Sequence, residues 1–321
     1  MSSYNHFSSD NVALAGARDI GVFRNGDKVG RIPLGSLRQP NRERRLYSFG
    51  LISDDHIGEN GADVNLRKAL TYFANDKDVV FTVDCGDLVA TSSSLETKKT
   101  WFQTYKSIVD ECSNGKSVFA IGGNHEQWGH DGIGALMTEY VGNQSVWYVK
   151  DYGNDVFVFL GIQQYALYDG SDYQQYIQAD IIAIHDVLKA NRNKRCFIIQ
   201  HMPIDGDTFE YNIFGEYDIG TLPLSLFRHY KNTTIFHGHT HSSFSGHLSD
   251  KGANVNRNEG IRSVHVPSLC DYCEGYVVDV YDDGIHLRGL NFETGYIPIA
   301  SYWIDTALVD VSEEYTYKGD K

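Results

Sequence analysis

The chain has 321 residues, 41% of them hydrophobic and 22% charged, the composition of a globular protein long enough to bury a large core. No stretch approaches 18 consecutive apolar residues, which excludes a transmembrane helix. Net charge is −14, but residues 1–45 hold eight Lys or Arg against four acids, a local charge of +4 that leaves −18 on the remainder. So acidic a body repels phosphate backbones and excludes non-specific nucleic-acid binding.

Taken in chain order, residues 22–29 place an Asn25-Gly26 turn between β-prone pairs and predict a hairpin. Residues 38–45 form a basic linker into a first core strand over 46–53. A helix is expected over Ala62–Asn75, with Leu66, Leu70 and Phe73 on one face. A strand over 79–83 delivers Asp84-Cys85-Gly86-Asp87. The next helix spans Leu95–Cys112, with Trp101, Tyr105, Ile108 and Cys112 at helical spacing. A strand over 118–121 ends at Gly122-Gly123-Asn124-His125. This alternation is that of parallel β-α-β units. Two adjacent strands then follow at 146–149 and 156–162, joined by a Gly153-Asn154 turn. A helix over 173–190 and a strand over 196–200 lead to His201, and residues 234–237 lead to Gly238-His239. The tail reads as strands at 263–266, 276–281 and 285–291.

The first residues, Met1-Ser2-Ser3-Tyr4-Asn5-His6, lack the basic-then-apolar pattern of a secretory signal, so the expected compartment is the cytoplasm. The five cysteines are odd in number and suggest no disulfide framework. Cys270-x-x-Cys273 reads as two reduced thiols, and Cys85 as a small buried residue.

Five short islands carry the chemistry: Asp54-Asp55-His56, Gly86-Asp87, Gly123-Asn124-His125-Glu126, His201, and Gly238-His239-Thr240-His241. Each follows a short apolar run of strand character, placing it at the carboxyl end of a sheet, where open α/β sheets bind ligands. Carboxylates, an amide and imidazoles are the ligand types of a pair of borderline divalent ions. Two such ions clamp the attacking and leaving oxygens of an in-line phosphoryl displacement. In an extended segment residues i and i+2 point the same way, so Asp54 with His56, and His239 with His241, can reach one cluster. The same alternation turns Asp55 away from it, as an exposed or helix-capping acid.

In order and spacing the islands resemble the calcineurin-like metallophosphoesterases, over residues 47–292. The resemblance implies a four-layer α/β/β/α sandwich of two mixed sheets flanked by helices, and a phosphomonoesterase or phosphodiesterase. It implies two divalent ions (Mn, Fe or Zn), bridged by Asp87. Asp54, His56 and His241 go with the first ion, and Asn124, His201 and His239 with the second. The nucleophile it implies is a metal-bound hydroxide, with His125 as general acid and Glu126 orienting a histidine. Many members carry Asp or Asn three residues after the Gly-Asp pair. Here that position is Ala90, which implies altered support for the metal loop. Residues 205–212, and His130, are candidates to line the substrate cleft.

Residues 1–45 lie outside the resemblance and read as a basic arm with a β-hairpin, ahead of a phosphoesterase domain over 46–321. Its charge suits docking to a second copy or to a larger assembly. Arg31-Ile32-Pro33-Leu34-Gly35 with Arg45-Leu46-Tyr47-Ser48-Phe49-Gly50 resembles the segment that leads into phosphoesterases encoded in bacteriophage structural gene clusters. A virion-associated protein that keeps the fold as a scaffold is therefore the second expectation. The partners expected are a small phosphoester substrate and, through the arm, self-association or an assembly; no membrane is expected.

Overall fold

The computed structural model describes residues 19–24, 27–33, 45–129, 132–168, 171–175, 178–203, 230, 232–244, 255–258 and 261–306. The predicted hairpin is present as β1 (Asp19–Arg24) and β2 (Asp27–Pro33), which form a two-stranded sheet of their own. The first large sheet takes β3 (Arg45–Ile52), β4 (Val79–Asp84) and β5 (Ser117–Ala120) in parallel. Antiparallel β14 (Glu274–Tyr281), β15 (Gly284–Asn291) and β16 (Gly295–Asp305) extend it beyond β3. The second takes β7 (Asp155–Leu160), β10 (Arg195–Gln200), β11 (Thr233–His237) and β13 (Ile261–His265) in parallel. Its edges are antiparallel: β6 (Trp147–Tyr152) beside β7 and β12 (Val255–Asn258) beside β13.

A period of two decides how these sheets stack. On β7, Phe157 and Phe159 face one core while Val156, Val158 and Leu160 face another. On β10, Phe197 and Ile199 share the first of these with Phe49, Phe81 and Phe236, so the two sheets pack face to face. Phe49 is the hub. Its ring stacks on Phe81 at 5.5 Å and meets Phe157 and Phe197 edge-on at 5.4 and 5.8 Å. Burying such a ring stabilises by about 1.5–3 kcal/mol.

Helices cover the outer faces. α1 (Ala62–Asn75) and α2 (Leu95–Cys112) lay Leu66, Leu70, Phe73, Phe102, Tyr105 and Ile108 on the first sheet. The α2 amino terminus is capped by Ser94, whose side chain accepts from the Thr97 amide. The short α3 (Ile133–Leu136) and a π-type turn at Met137–Val141 close that side. α4 (Gln178–Ala190) packs Ile184 and Leu188 on the second sheet. The result is the expected α/β/β/α sandwich of two mixed sheets. None of the described helices is long and apolar enough to cross a membrane.

Two expectations need correcting. The helix predicted over 173–190 begins at Gln178, because Ser171–Gln175 is a strand (β9) paired antiparallel with β8 (Gln164–Tyr168). A pairing partner claims residues that local periodicity assigns to the helix. The strand predicted over 146–149 runs to Tyr152, because its hairpin register with β7 closes only at Tyr152↔Asp155.

Candidate metal centre

Five parallel strands end at one edge of the sandwich, and each delivers one island: β3 Asp54–His56, β4 Asp87, β5 Asn124–His125, β10 His201 and β11 His239–His241. The loops are bonded to one another. The Asp54, His56 and Ile57 amides donate to the carbonyls of Gly86, Asp87 and Leu88 at 2.9, 3.0 and 2.9 Å, and the Gly238 amide donates to His201 O at 3.0 Å.

The backbone here is unusual. Seven described non-glycine residues have positive φ, and five of them are Asp54 (57°), His56 (49°), Asp87 (55°), His239 (73°) and His241 (50°). Each such residue costs about 1 kcal/mol, and strain of this kind collects where function demands a particular side-chain direction. The convergence of Asp54 with His56, and of His239 with His241, comes from these left-handed residues and not from extended-strand alternation. Asp55 lies outside both ligand groups, as expected, but it is not an exposed or helix-capping acid. It is fully buried beside Asp84, and burial followed by that neighbouring carboxyl pushes it well above the usual range. Asp84, pushed up to about 7 by burial, accepts from the Gly86 amide and the Tyr105 hydroxyl at 3.2 and 3.0 Å.

Asp87 is the centre of the cluster. Its Oδ2 lies 3.0 Å from His201 Nε2, 3.7 Å from His56 Nε2 and 3.8 Å from His125 Nε2, and its Oδ1 accepts the His125 amide. His56 Nε2 and His241 Nε2 are 2.8 Å apart, and His241 Nε2 is 3.4 Å from Asp54 Oδ1. Both oxygens of Asp54 accept the His239 amide at 3.1 Å, and His239 Nδ1 is 2.9 Å from Asn124 Oδ1. Two groups of ligand atoms result, Asp54/His56/Asp87/His241 and Asp87/His201/His239, each within 4.8 Å and both containing Asp87. The sequence-predicted residues are thus brought together, with His125 alongside at 20% side-chain exposure.

These atoms fit a pair of cations. His201 donates Nδ1–H to the Cys85 carbonyl at 2.9 Å, which turns Nε2 toward Asp87. His56 turns Nε2 toward His241 and Asp87, and its buried Nδ1 has no hydrogen bond among the described residues. Contacts of 2.8–3.9 Å are edge lengths expected of ligands each about 2.1 Å from a shared ion. Burial disfavours charge on His201, yet Asp87 and Asp54 outweigh it and raise the ring to about 9. Burial also opposes ionisation of Asp87, and His201, His125 and His56 hold it below the usual carboxylate range. His239 is held down to about 4 by burial and by His201. Nothing but space admits the carboxylates: a Cβ at Gly123 would lie 2.1 Å from Asp87 Oδ1, and one at Gly238 2.3 Å from Asp54 Oδ2.

Supporting residues differ from expectation. Glu126 does not orient a histidine. Its carboxylate accepts the Val89 and Gly123 amides, both at 2.8 Å, tying the loop after β4 to the loop after β5. That link supports the metal loop where Ala90 carries no polar side chain. The Thr91 hydroxyl, 3.1 Å from His125 Nδ1, and Lys98, whose ammonium donates to the His125 carbonyl, were not singled out by sequence. Asp271, 2.7 Å from His241 Nδ1, was also missed. His130 and residues 205–212 lie outside the described residues.

The family model for calcineurin-like phosphoesterases matches residues 47–243. Among solved structures, a dimetal phosphatase from Danio rerio matches with a TM-score of 0.60 at 15% identity, covering 82% of this chain and 100% of its own. The protein TT1561 of Thermus thermophilus matches with a TM-score of 0.46 at 9% identity, covering 81% of this chain and 99% of its own. Comparison with curated proteins gives no match. The family match spans more than half of the chain and contains every residue of the two clusters, so this chain belongs to the calcineurin-like phosphoesterase family and is a metal-dependent phosphoric ester hydrolase.

Proposed function

We propose that Asp87 lies between two divalent ions, one held with Asp54, His56 and His241, the other with Asn124, His201 and His239, and that the site hydrolyses small phosphomonoesters or phosphodiesters. The observation that carries this reading is the sharing of Asp87 by both ligand groups. A carboxylate with two lone-pair-rich oxygens can face two cations and offset their repulsion. The donors are imidazole, carboxylate and amide with no thiolate, which suits manganese, iron or zinc. When bound, such ions activate water as a nucleophile and offset charge on the phosphoryl oxygens.

The chain's own residues do the rest. His125 is the proton donor to the departing oxygen. Its ring is held by the Thr91 hydroxyl on one side, and its backbone by Asp87 on the other. Burial keeps it below the usual histidine range, with Asp87 opposing; a phosphate docked beside it adds negative charge and favours the protonated acid. The inward Asp55 and Asp84 carboxyls lie beneath the loops, with Asp84 bonded to backbone and Tyr105 and not to substrate.

The test is hydrolysis of p-nitrophenyl phosphate and bis(p-nitrophenyl) phosphate by metal-free protein resupplied with Mn²⁺, Fe²⁺ or Zn²⁺. Metal-dependent turnover of at least one of the two is expected. No turnover of either with any of the three ions would overturn the reading, and the ratio between the two distinguishes monoester from diester preference.

A further inference from the structure

The Cys270-x-x-Cys273 pair has no place in the metal centre, but one of the two residues between its cysteines, Asp271, does. α5 (Leu269–Tyr272) lies beyond the residues matched by the family model. It is nevertheless bonded into the metal loops at two points. The amides of Leu269 and Cys270 donate to the carbonyls of Ser53 and Asp54 at 2.9 and 3.0 Å. Asn65, on α1, donates its side-chain amide to the carbonyls of Leu269 and Cys270 at 3.1 and 2.9 Å. The short helix therefore cannot shift without moving the Asp54 loop.

The second point is a side chain. Ser268, the α5 cap, accepts the Asp271 amide at 3.2 Å and donates its hydroxyl to Asp271 Oδ2 at 3.0 Å. That oxygen lies 2.7 Å from His241 Nδ1. An ionised carboxylate only accepts, so the proton of the neutral imidazole sits on Nδ1 and Nε2 is left with a lone pair. Nε2 is the atom that converges with His56 Nε2 and Asp54 Oδ1. An ordinary exposed Asp–His pair fixes neither partner. Here Asp271 is held from behind by Ser268, and the helix carrying it is held by the loop of another ligand.

We propose that Asp271 is a positioning residue of the metal centre, fixing the ring and the tautomer of His241 so that Nε2 faces the ion held with Asp54, His56 and Asp87. The proposal rests on the metal-site reading above. It makes α5 a clasp between a ligand loop of the first sheet and a ligand loop of the second.

The experiment is calorimetric titration of metal-free protein with Mn²⁺, paired with ¹⁵N spectra of the His241 ring. Wild type is expected to bind two equivalents and to show the Nδ1–H tautomer. Asp271→Ala keeps the amide-to-Ser268 cap, so it is expected to fold, to bind one of the two ions about 10–100-fold more weakly, and to show mixed tautomers. Asp271→Asn keeps an acceptor oxygen and is expected to stay within about tenfold of wild type. Unchanged affinity or an unchanged tautomer in Asp271→Ala would overturn the proposal, as would an Asn variant as weak as the Ala variant. If wild type binds no Mn²⁺, the site reading itself falls, an outcome distinct from wild type binding two ions and Asp271→Ala doing the same.

Discussion

Asp87 and His125 are joined directly: the backbone N–H of His125 donates to Asp87 Oδ1 at 3.0 Å, while the other carboxylate oxygen faces His201 Nε2 at the same distance. The residue shared by both ligand groups therefore also sets the height of the loop that carries the proposed proton donor. Two substitutions separate these tasks. Asp87→Ala removes both, so metal content should fall to at most one weakly bound equivalent and hydrolysis to background. Asp87→Asn retains an acceptor for the His125 amide but loses the charge proposed to lie between the ions, so the loop should hold while metal is lost. Elemental analysis settles it; two full equivalents in Asp87→Ala would contradict the shared-ligand geometry.

His125 stands close to Asp87 but outside both ligand groups. Its replacement by Ala should leave metal content unchanged and lower turnover by about 10²–10⁴-fold for poor leaving groups. With nitrophenolate, which departs without a proton, the loss should be much smaller. Equal losses across a series of leaving groups would mean that His125 binds or positions rather than protonates.

Gly123 offers a test that replaces no functional side chain. Its added Cβ would overlap Asp87 Oδ1 at 2.1 Å and the Asp87 amide at 2.6 Å. Gly123→Ala should therefore displace the carboxylate by a substantial fraction of an ångström and cost roughly 10²-fold in turnover. Weakened metal binding should accompany it in calorimetry. A variant with wild-type metal affinity and rate would show that the loop can yield without moving Asp87.

The candidate ligands were legible because imidazoles, carboxylates and an amide recur at fixed places after strand-like runs, and the structure brings all seven candidates to one edge. What aims them was not. Alternation along an extended chain kept Asp55 off the cluster but not in the core where it is buried, and it presumes backbone that Asp54 and His56 do not adopt. Nothing local flags a left-handed aspartate or histidine, because the tertiary bonds between loops enforce it. Asp271 was hidden by distance, thirty positions from His241, and by a cysteine pair that drew the reading elsewhere. Thr91 is an ordinary hydroxyl until β4 and β5 place its loop beside His125. The hydrophobic pattern marked strand and helix well where a face was buried. It lost Ser171–Gln175 and β16, whose pairing partners are not visible in a local window.

The scaffold that presents the Asp54 loop is itself held by a buried carboxylate. Asp279 sits on β14, between β3 and β15, at 2% exposure. It accepts from Ser48 Oγ at 2.7 Å, from Arg288 Nε and Nη2 at 2.8 and 3.1 Å, and from Arg45 Nη1 at 3.3 Å, with His286 Nδ1 at 3.7 Å. Burial works against its ionisation, but His286, Arg288 and Ser48 outweigh it and hold the carboxyl below the usual range. A carboxyl depressed in the folded state binds fewer protons there than in the unfolded chain. Its stabilisation is therefore complete above the unfolded value of about 4 and is lost as pH falls below it. Arg45 and Arg288 remain partly open to water, so the effect is discounted for screening to about 2 kcal/mol at neutral pH. Asp279→Asn should destabilise the metal-free protein by that amount from pH 8 to about 5. The gap from wild type should narrow progressively below about pH 4, measured by denaturant unfolding at each pH. A gap that stays constant down to about pH 3 would show that the carboxylate charge contributes nothing to holding β3, β14 and β15 together.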